Sequence, residues 1–475
     1  MRRFLALTLQ VTALAISVLF ASQQSLVAQT RATATANPEL AERSARVDQM
    51  LAPLVQEGAP GVEVMVVQNG QIVKSSGYGL ANVETRTPVT AQTVFEIGSV
   101  SKPFTAIAIL MLSERGRLSL DDPVTKYLQG LPPYAQKVTI RHLLNHTSGL
   151  VDVINPRWFR KNYTPTSREV LKMLMQEQKP NAAPGEAFEY NNTGYTLLAL
   201  IVEKVTGERF SKFMQENVFK PLGMTHTLIF DETKPKVLNL ATSYISEGGP
   251  FQPAENLSDI YIYGAKGVWS TAEDMAKWAE ALMGGKLVKA DTLKQAFMPT
   301  RLNNGTISQY GYGWYVNSDE GLNVVEHAGG YLGYRATIRL YPTERTIVIL
   351  LSNNSTINAT PLARQIAKIY LGERMVQPTG ARVDPAILQS YVGKYEGDAS
   401  VMPNLIIEIT LENGELFITS PIKPKTKLIA QSATEFQIAE TASSVTFNQD
   451  GQGNVTGLLL KTRRVNVNAR RLPSQ

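Results

Sequence analysis

Ser99 and Lys102 stand three positions apart in Gly98-Ser99-Val100-Ser101-Lys102-Pro103-Phe104, just ahead of a run from Phe104 to Leu112 in which nearly every residue is apolar or small. A Ser hydroxyl is a poor nucleophile until a base removes its proton. A Lys amine serves as that base only where burial or a nearby cation lowers its pKa by several units. The run reads as a helix buried on all sides and stopped by Gly116, with Pro103 in the opening turn, where a missing N–H breaks no helical bond. Ser99 then lies at the helix start, near its free N–H groups and positive dipole end, and Lys102 shares its face.

Two further groups of residues could join that pair. Tyr190 lies in Phe188-Glu189-Tyr190-Asn191-Asn192-Thr193-Gly194-Tyr195, after the loop signal Pro184-Gly185 and before a helix-like run that ends ahead of Gly207. Asn192 or Thr193 is the expected cap of that helix. A phenol at the end of the loop can relay a proton, and the Asn192 amide can hold substrate or Lys102. His327 opens His327-Ala328-Gly329-Gly330-Tyr331 at the end of a strand, where paired Gly residues allow close approach of a ligand to the backbone. The N–H groups of Gly330 and Ser99 are the expected oxyanion donors. Taken singly, each group also has an ordinary reading: a capping Ser beside a surface Lys, a packing Tyr beside a capping Asn, a Gly-Gly turn with an exposed His.

Other chemistries find less support. The chain has no Gly-x-Ser-x-Gly, His-Glu-x-x-His or Walker loop. It has no Cys, which excludes disulfides, a thiol nucleophile and thiolate metal sites together. His142 and His146 have the spacing of a helical metal pair but no acidic base between them, and they read as structural. No metal or cofactor is required. The formal charge of +6 includes Arg2 and Arg3, and the remaining basic residues are interspersed with acidic ones. That pattern gives no argument for nucleic acid.

Arg2 and Arg3 precede an apolar stretch from Phe4 to about Phe20 and then a polar segment, the pattern of a secretory signal over residues 1–30. Ala32-Thr33-Ala34 and Ala34-Thr35-Ala36 both carry the small-x-small cleavage pattern. The alternative is an uncleaved anchor, since the run is near the lower length for a span. No second long apolar run follows. The chain is therefore expected to be exported, periplasmic or extracellular, with no stable span after cleavage.

The elements that must position these residues are also legible. Pro38 to Glu57 reads as a helix, and Asn69-Gly70 between two apolar-rich runs is a strong hairpin signal. Helices and loops occupy Ser101 to about Gly285. Strands return at Gly313 to Val316, Asn323 to Glu326, Tyr334 to Tyr341 and Thr346 to Ser352, and a helix from Pro361 to about Tyr370 closes this part. The order suggests one sheet assembled from both ends of a domain, with a helical region inserted. Residues 374–384 read as a linker, and 385–475 as a small β domain of open-barrel type with a hairpin at Asn413-Gly414.

Together the three groups resemble the serine β-lactamase and D,D-peptidase superfamily, in the branch that includes class C β-lactamases, D-aminopeptidases and carboxylesterases. Phe95-Glu-Ile-Gly-Ser-Val-Ser-Lys-Pro-Phe-Thr resembles its nucleophile segment, Tyr190-Asn191-Asn192 its Tyr-x-Asn element, and His327-Ala328-Gly329 its strand-borne third motif. Leu118-Ser-Leu-Asp-Asp-Pro-Val, Ile140-Arg-His-Leu-Leu-Asn-His-Thr-Ser-Gly-Leu, Pro221-Leu-Gly-Met and Gly267-Val-Trp-Ser-Thr-Ala-Glu-Asp-Met look like supporting landmarks, over about residues 45 to 372. The resemblance implies an α/β fold with an antiparallel sheet flanked by helices plus an all-helical region, and the site at their junction. It implies Ser99 as nucleophile, Lys102 as base, Tyr190 as proton relay, and Asn192, His327, Gly329 and Gly330 as substrate-binding. The implied partners are small-molecule or peptide substrates, peptidoglycan-derived ones among them, processed through an acyl-enzyme. The rival reading is a penicillin or cell-wall-peptide binding or sensor protein without turnover. His327 stands where many β-lactamases carry Lys. A protonated imidazole there would anchor a substrate carboxylate at low pH and show its titration between about pH 5 and 8.

Overall fold

The computed structural model describes residues 37–154, 165–254, 261–375 and, with short breaks, 381–473. The signal-like segment, both cleavage patterns, and residues 376–380 and 382 of the linker lie outside the described residues.

The Asn-Gly turn forms as its chemistry requires. Asn69 and Gly70 both take positive φ, 50° and 78°, and join β1 (Val62–Gln68) to β2 (Gln71–Tyr78). The remaining strands of the main sheet come from the far side of the helical region: β3 (Tyr315–Asp319), β4 (Leu322–Tyr331), β5 (Tyr334–Tyr341) and β6 (Thr346–Ser352). The order is β3-β4-β5-β6-β1-β2, antiparallel throughout, with Met65 of β1 opposite Ile349 of β6. The two ends of the domain thus meet in the middle of one six-stranded sheet. Pairing of β3 with β4 runs only from Leu322 to Glu326, so the outer edge of β4 beyond Glu326 is left for other use.

The helices that matter for the site are α1 (Pro38–Leu51), α2 (Ser101–Glu114), α3 (Asn192–Thr206), α4 (Ala272–Met283) and α5 (Ala359–Leu371). Val62, Val64 and Val66 point to the core under α1 and α5, while Met65 and Val67 point to the larger core that holds α2, α3 and α4. Strand β1 is therefore buried on both faces, which is why its residues are apolar from Val62 to Val67 with the one exception of Glu63. Helix α1 stops at Leu51 and not at Glu57; Pro53 has no N–H to continue the ladder, and Ala52–Leu54 tightens to a 3₁₀ turn. Helix α2 is buried from Ser101 to Leu112, and Phe104 stacks on Trp278 of α4 with ring centroids 4.0 Å apart.

A buried ion network fixes β4. The Arg339 guanidinium of β5 contacts both Glu326 of β4 and Asp319 of β3. Asp319 also accepts from the Tyr341 hydroxyl at 2.8 Å and pairs with Arg364 of α5 at 2.6 Å. Losing one member would strand a charge at a cost of about 3–5 kcal/mol, so strand register here is strongly specified.

After α6 (Pro385–Ser390), eight strands from Gly393–Gly397 to Asn466–Arg471 form a barrel. It is closed, against the expectation of an open one. The last strand returns to the first, with Tyr395 opposite Arg471. That strand carries only Val467 and Ala469 inward and so gives almost no apolar signal. Tyr391 and Phe447 stack at 3.8 Å in the barrel interior.

Glu63 is the misfit in the sheet. It is fully buried beside Met65 and Val67, and neither carboxyl oxygen makes a well-formed hydrogen bond. Burial pushes its pKa well above 4.5, opposed by the Ala272 N–H and reinforced by Glu273. The folded state therefore holds a proton that the unfolded state releases, and stability falls as pH rises above 4.5. Glu63→Met is expected to stabilise the protein by about 1–3 kcal/mol at pH 8, with the gain shrinking toward pH 5. Urea unfolding at both pH values measures it; a variant no more stable than the parent at pH 8 would contradict this account.

Candidate active site

The turn that carries Ser99 is shaped by its neighbours. Gly98–Val100 forms a 3₁₀ turn running directly into α2. Glu96, buried, accepts from Gly98 N at 2.9 Å and from Gly267 N at 3.1 Å, tying the residues before Ser99 to a second segment. That segment, 264–268, runs alongside α2. Thr105 Oγ1 donates to Gly264 O at 2.7 Å, Val268 N to Ser101 Oγ at 3.1 Å, and Ile97 N to Val268 O at 3.1 Å.

Lys102 points from α2 into this frame. Its Nζ lies 3.1 Å from Ser99 Oγ, 2.8 Å from Asn192 Oδ1 and 3.1 Å from Ala265 O. It also lies 4.6 Å from the centre of the Tyr190 ring. The side chain is fully buried. Burial brings its pKa down to about 7; the carboxylates of Asp152 and Glu96 oppose the shift and Lys266 adds to it. The Tyr190 phenol is hydrogen-bonded to Ser99, yet burial drives its pKa well above 10.0. Near neutral pH the amine is therefore the available base, and the phenol holds its proton.

Asp152 sets the position of Asn192. Its Oδ2 accepts from Asn192 Nδ2 at 3.0 Å and from Asn192 N at 3.2 Å, and its Oδ1 accepts from Thr193 N and Oγ1. The amide is thus turned with its oxygen toward Lys102. The cap of α3 is Asn191, one residue before the expected pair, with Oδ1 accepting from Gly194 N at 2.8 Å. Asn192 is thereby released from capping. His146 Nδ1 accepts from Asn191 N at 3.0 Å, and its ring lies 4.4 Å from that of Tyr190, so His146 supports the Tyr190 loop.

The third motif is not a turn with an exposed His. His327 to Tyr331 are the last residues of β4, and His327 is buried. Their outer edge, free of β3, borders the Ser99 turn. A Cβ on Gly329 would lie 2.0 Å from Ile97 O and 3.0 Å from Ser99 N, and one on Gly98 (φ 54°) would lie 2.7 Å from Gly330 N. Only glycine permits that approach. The structure thus brings Ser99, Tyr190 and Asn192 together around the Lys102 amine, with Gly329 and Gly330 against the Ser99 turn.

His327 departs from the sequence reading. Its Nδ1 is 2.7 Å from Ala328 O and its Nε2 is 3.1 Å from the Tyr310 hydroxyl. Burial, with the nearby Lys102, lowers its pKa to about 3. The ring is neutral across the working range, so it neither anchors a carboxylate nor titrates between pH 5 and 8. Sequence reasoning also missed Glu96, Asp152, Ala265, Lys266 and Tyr310. Glu96 lay within the nucleophile segment, but nothing local showed that its partners were backbone N–H groups.

The chain matches the beta-lactamase family over residues 46–370. It is 32% identical to penicillin-binding protein 4* of Bacillus subtilis (strain 168) over 412 residues, covering 81% of this chain and 89% of that protein. The octameric penicillin-binding protein homologue from Pyrococcus abyssi superposes with a TM-score of 0.59 at 25% identity, over 93% of this chain and 99% of that one. The D-amino acid amidase from Ochrobactrum anthropi SV3 shares the fold, with a TM-score of 0.60 at 22% identity over 71% of this chain and 100% of that one.

A base must be unprotonated, so kcat/KM for an ester is expected to rise with pH through one limb centred near about 7, with no second limb from His327. Asp152→Asn removes a carboxylate that favours the Lys102 cation. The limb should move to lower pH while the plateau falls by about 10–100-fold as Asn192 loosens. A limb that stays in place in this variant would show that Asp152 does not act on Lys102.

Proposed function

This chain belongs to the beta-lactamase family, and on that premise we propose that it is an exported serine hydrolase acting through a covalent acyl-enzyme on small amide, peptide or ester substrates. The observation that carries the reading is Lys102 Nζ, 3.1 Å from Ser99 Oγ in a setting that brings the amine to about 7. Ser99 Oγ attacks the substrate carbonyl as its proton passes to Lys102. The N–H groups of Ser99 and Gly330 receive the developing oxyanion. The proton moves on through Tyr190 to the departing nitrogen or oxygen, leaving an ester on Ser99. Water then attacks that ester, giving up its proton along the same path and regenerating the Ser99 hydroxyl. Asn192 holds Lys102 on one side and the acyl group on the other.

The neutral His327 favours esters, D-amino-acid amides and peptides over penicillins, for which a fixed cation at this position is the better anchor. Arg2, Arg3 and the apolar stretch behind them support export, and peptidoglycan-derived peptides are the natural extracellular substrates for such a site.

Ser99→Ala is expected to abolish labelling by a fluorophosphonate or a fluorescent penicillin while the protein stays folded. Tyr190→Phe should lower turnover by roughly 10²–10⁴-fold, the range of a lost acid–base group. Undiminished labelling of folded Ser99→Ala protein would overturn the nucleophile assignment. A parent adduct that forms but never turns over would favour the binding or sensor reading.

A further inference from the structure

With His327 neutral, the site lacks a cation at the place where the sequence pattern puts one. Two other basic side chains border the same strand. Arg335 lies on β5 opposite Gly330, and its Nη1 is held by two backbone carbonyls of its own turn, those of Leu332 at 2.6 Å and Tyr334 at 2.8 Å. Lys266 differs. It stands between Ala265, whose carbonyl accepts from Lys102, and Gly267, whose N–H binds Glu96, so its backbone is fixed against the catalytic centre from both sides. Its Nζ lies 3.7 Å from the centre of the Tyr331 ring, at the end of β4 one residue beyond Gly330.

Among the described residues Lys266 makes no hydrogen bond and no contact ion pair. Burial lowers the Lys266 pKa to about 7, and Glu96, whose two oxygens are occupied by Gly98 N and Gly267 N, opposes that shift through space. The ammonium is therefore present below about pH 7 and is favoured further by an incoming carboxylate. An ammonium resting on an aromatic face keeps its donors available on the side away from the ring. Lys266 therefore combines a backbone fixed against the catalytic centre with unused donors, whereas His327 has both ring nitrogens engaged.

We infer that Lys266 is the charge-selecting residue of this site, receiving on its ammonium a carboxylate carried by the acyl donor. The inference rests on the serine-hydrolase reading and adds a residue to it. Tyr331 supplies the platform that orients the ammonium, and Glu96 keeps its field partly balanced while the site is empty. Lys266 also helps hold Lys102 in its neutral form, so one side chain serves both the base and substrate choice.

The test compares kcat/KM for matched charged and neutral esters in parent, Lys266→Met and Lys266→Arg proteins. One pair places the charge on the acyl side, the p-nitrophenyl monoester of adipic acid against p-nitrophenyl hexanoate. The other places it on the leaving side, 4-acetoxybenzoate against its methyl ester. Any effect of Lys266→Met on Lys102 is common to both members of a pair and cancels in their ratio. The charged-to-neutral ratio should fall by roughly 10–100-fold in Lys266→Met for at least one pair, as for a lost charge-assisted hydrogen bond. Lys266→Arg should keep it within about threefold of the parent. A ratio within threefold of the parent in Lys266→Met for both pairs overturns the inference. Absence of Ser99-dependent turnover of every ester would sink the hydrolase reading instead. Calorimetry of adipate and 4-acetoxybenzoate binding to Ser99→Ala protein, with and without Lys266→Met, then decides. Binding lost with Lys266→Met supports the assignment; equal binding, or none in either protein, overturns it.

Discussion

The arrangement depends on keeping one amine out of water. At its ordinary pKa a lysine is neutral in about one molecule in three thousand at pH 7; at about 7, where burial places Lys102, roughly half are. Burial alone would leave polar hydrogens unsatisfied, so Lys102 is met by Asn192 Oδ1, Ala265 O and Ser99 Oγ. The oxygens of Asn192 and Ala265 match the two hydrogens of the neutral amine and leave its lone pair for the Ser99 hydroxyl, with no contact carboxylate to return it to the cation. Asp152 and Glu96 supply negative charge nearby but spend their oxygens on other donors.

The rest of the fold follows from that demand. Helix α2 must be buried nearly all round, so it lies between α3 and α4 and beneath the sheet. The Gly329-Gly330 strand must approach the Ser99 turn to within contact distance, and Gly98 and Gly329 make that approach possible. Strand β4 is held in register by the buried Arg339, Glu326 and Asp319 group, one residue before His327. A slip of one residue there would turn every side chain of the motif to the wrong face. The two ends of the domain join at the β1–β6 pair, which brings the early nucleophile segment and the late Gly-Gly strand to the same place.

Much of this was legible in the sequence because it rests on local signals. The Ser99/Lys102 spacing, the Asn69-Gly70 turn, the apolar helix after Lys102 and the Gly-Gly pair each carry their meaning within a few residues. The order of strands and helices gave the split sheet. What sequence could not give was partnership across the fold. Asn192 and Thr193, the expected caps of α3, are both engaged by Asp152, some forty residues earlier, and the cap is Asn191. His327 read as a titrating imidazole because its burial and its Tyr310 partner are both set by distant segments. Nothing local marks Lys266, because its Tyr331 platform comes from a strand far along the chain. The barrel was expected to be open because its last strand owes its place to hydrogen bonding to the first and hardly at all to apolar pattern.

The most direct test of the central claim is the titration of Lys102 itself. In protein carrying ¹³Cε-labelled lysine, the resonance lost in Lys102→Arg identifies the group, and its chemical shift can be followed from pH 5 to 11. The account predicts a midpoint near about 7; Lys266, lowered to about 7 as well, is told apart because its resonance survives in Lys102→Arg. A midpoint at the ordinary 10.5 would mean that Lys102 stays cationic at working pH, and the base for Ser99 would have to be sought elsewhere.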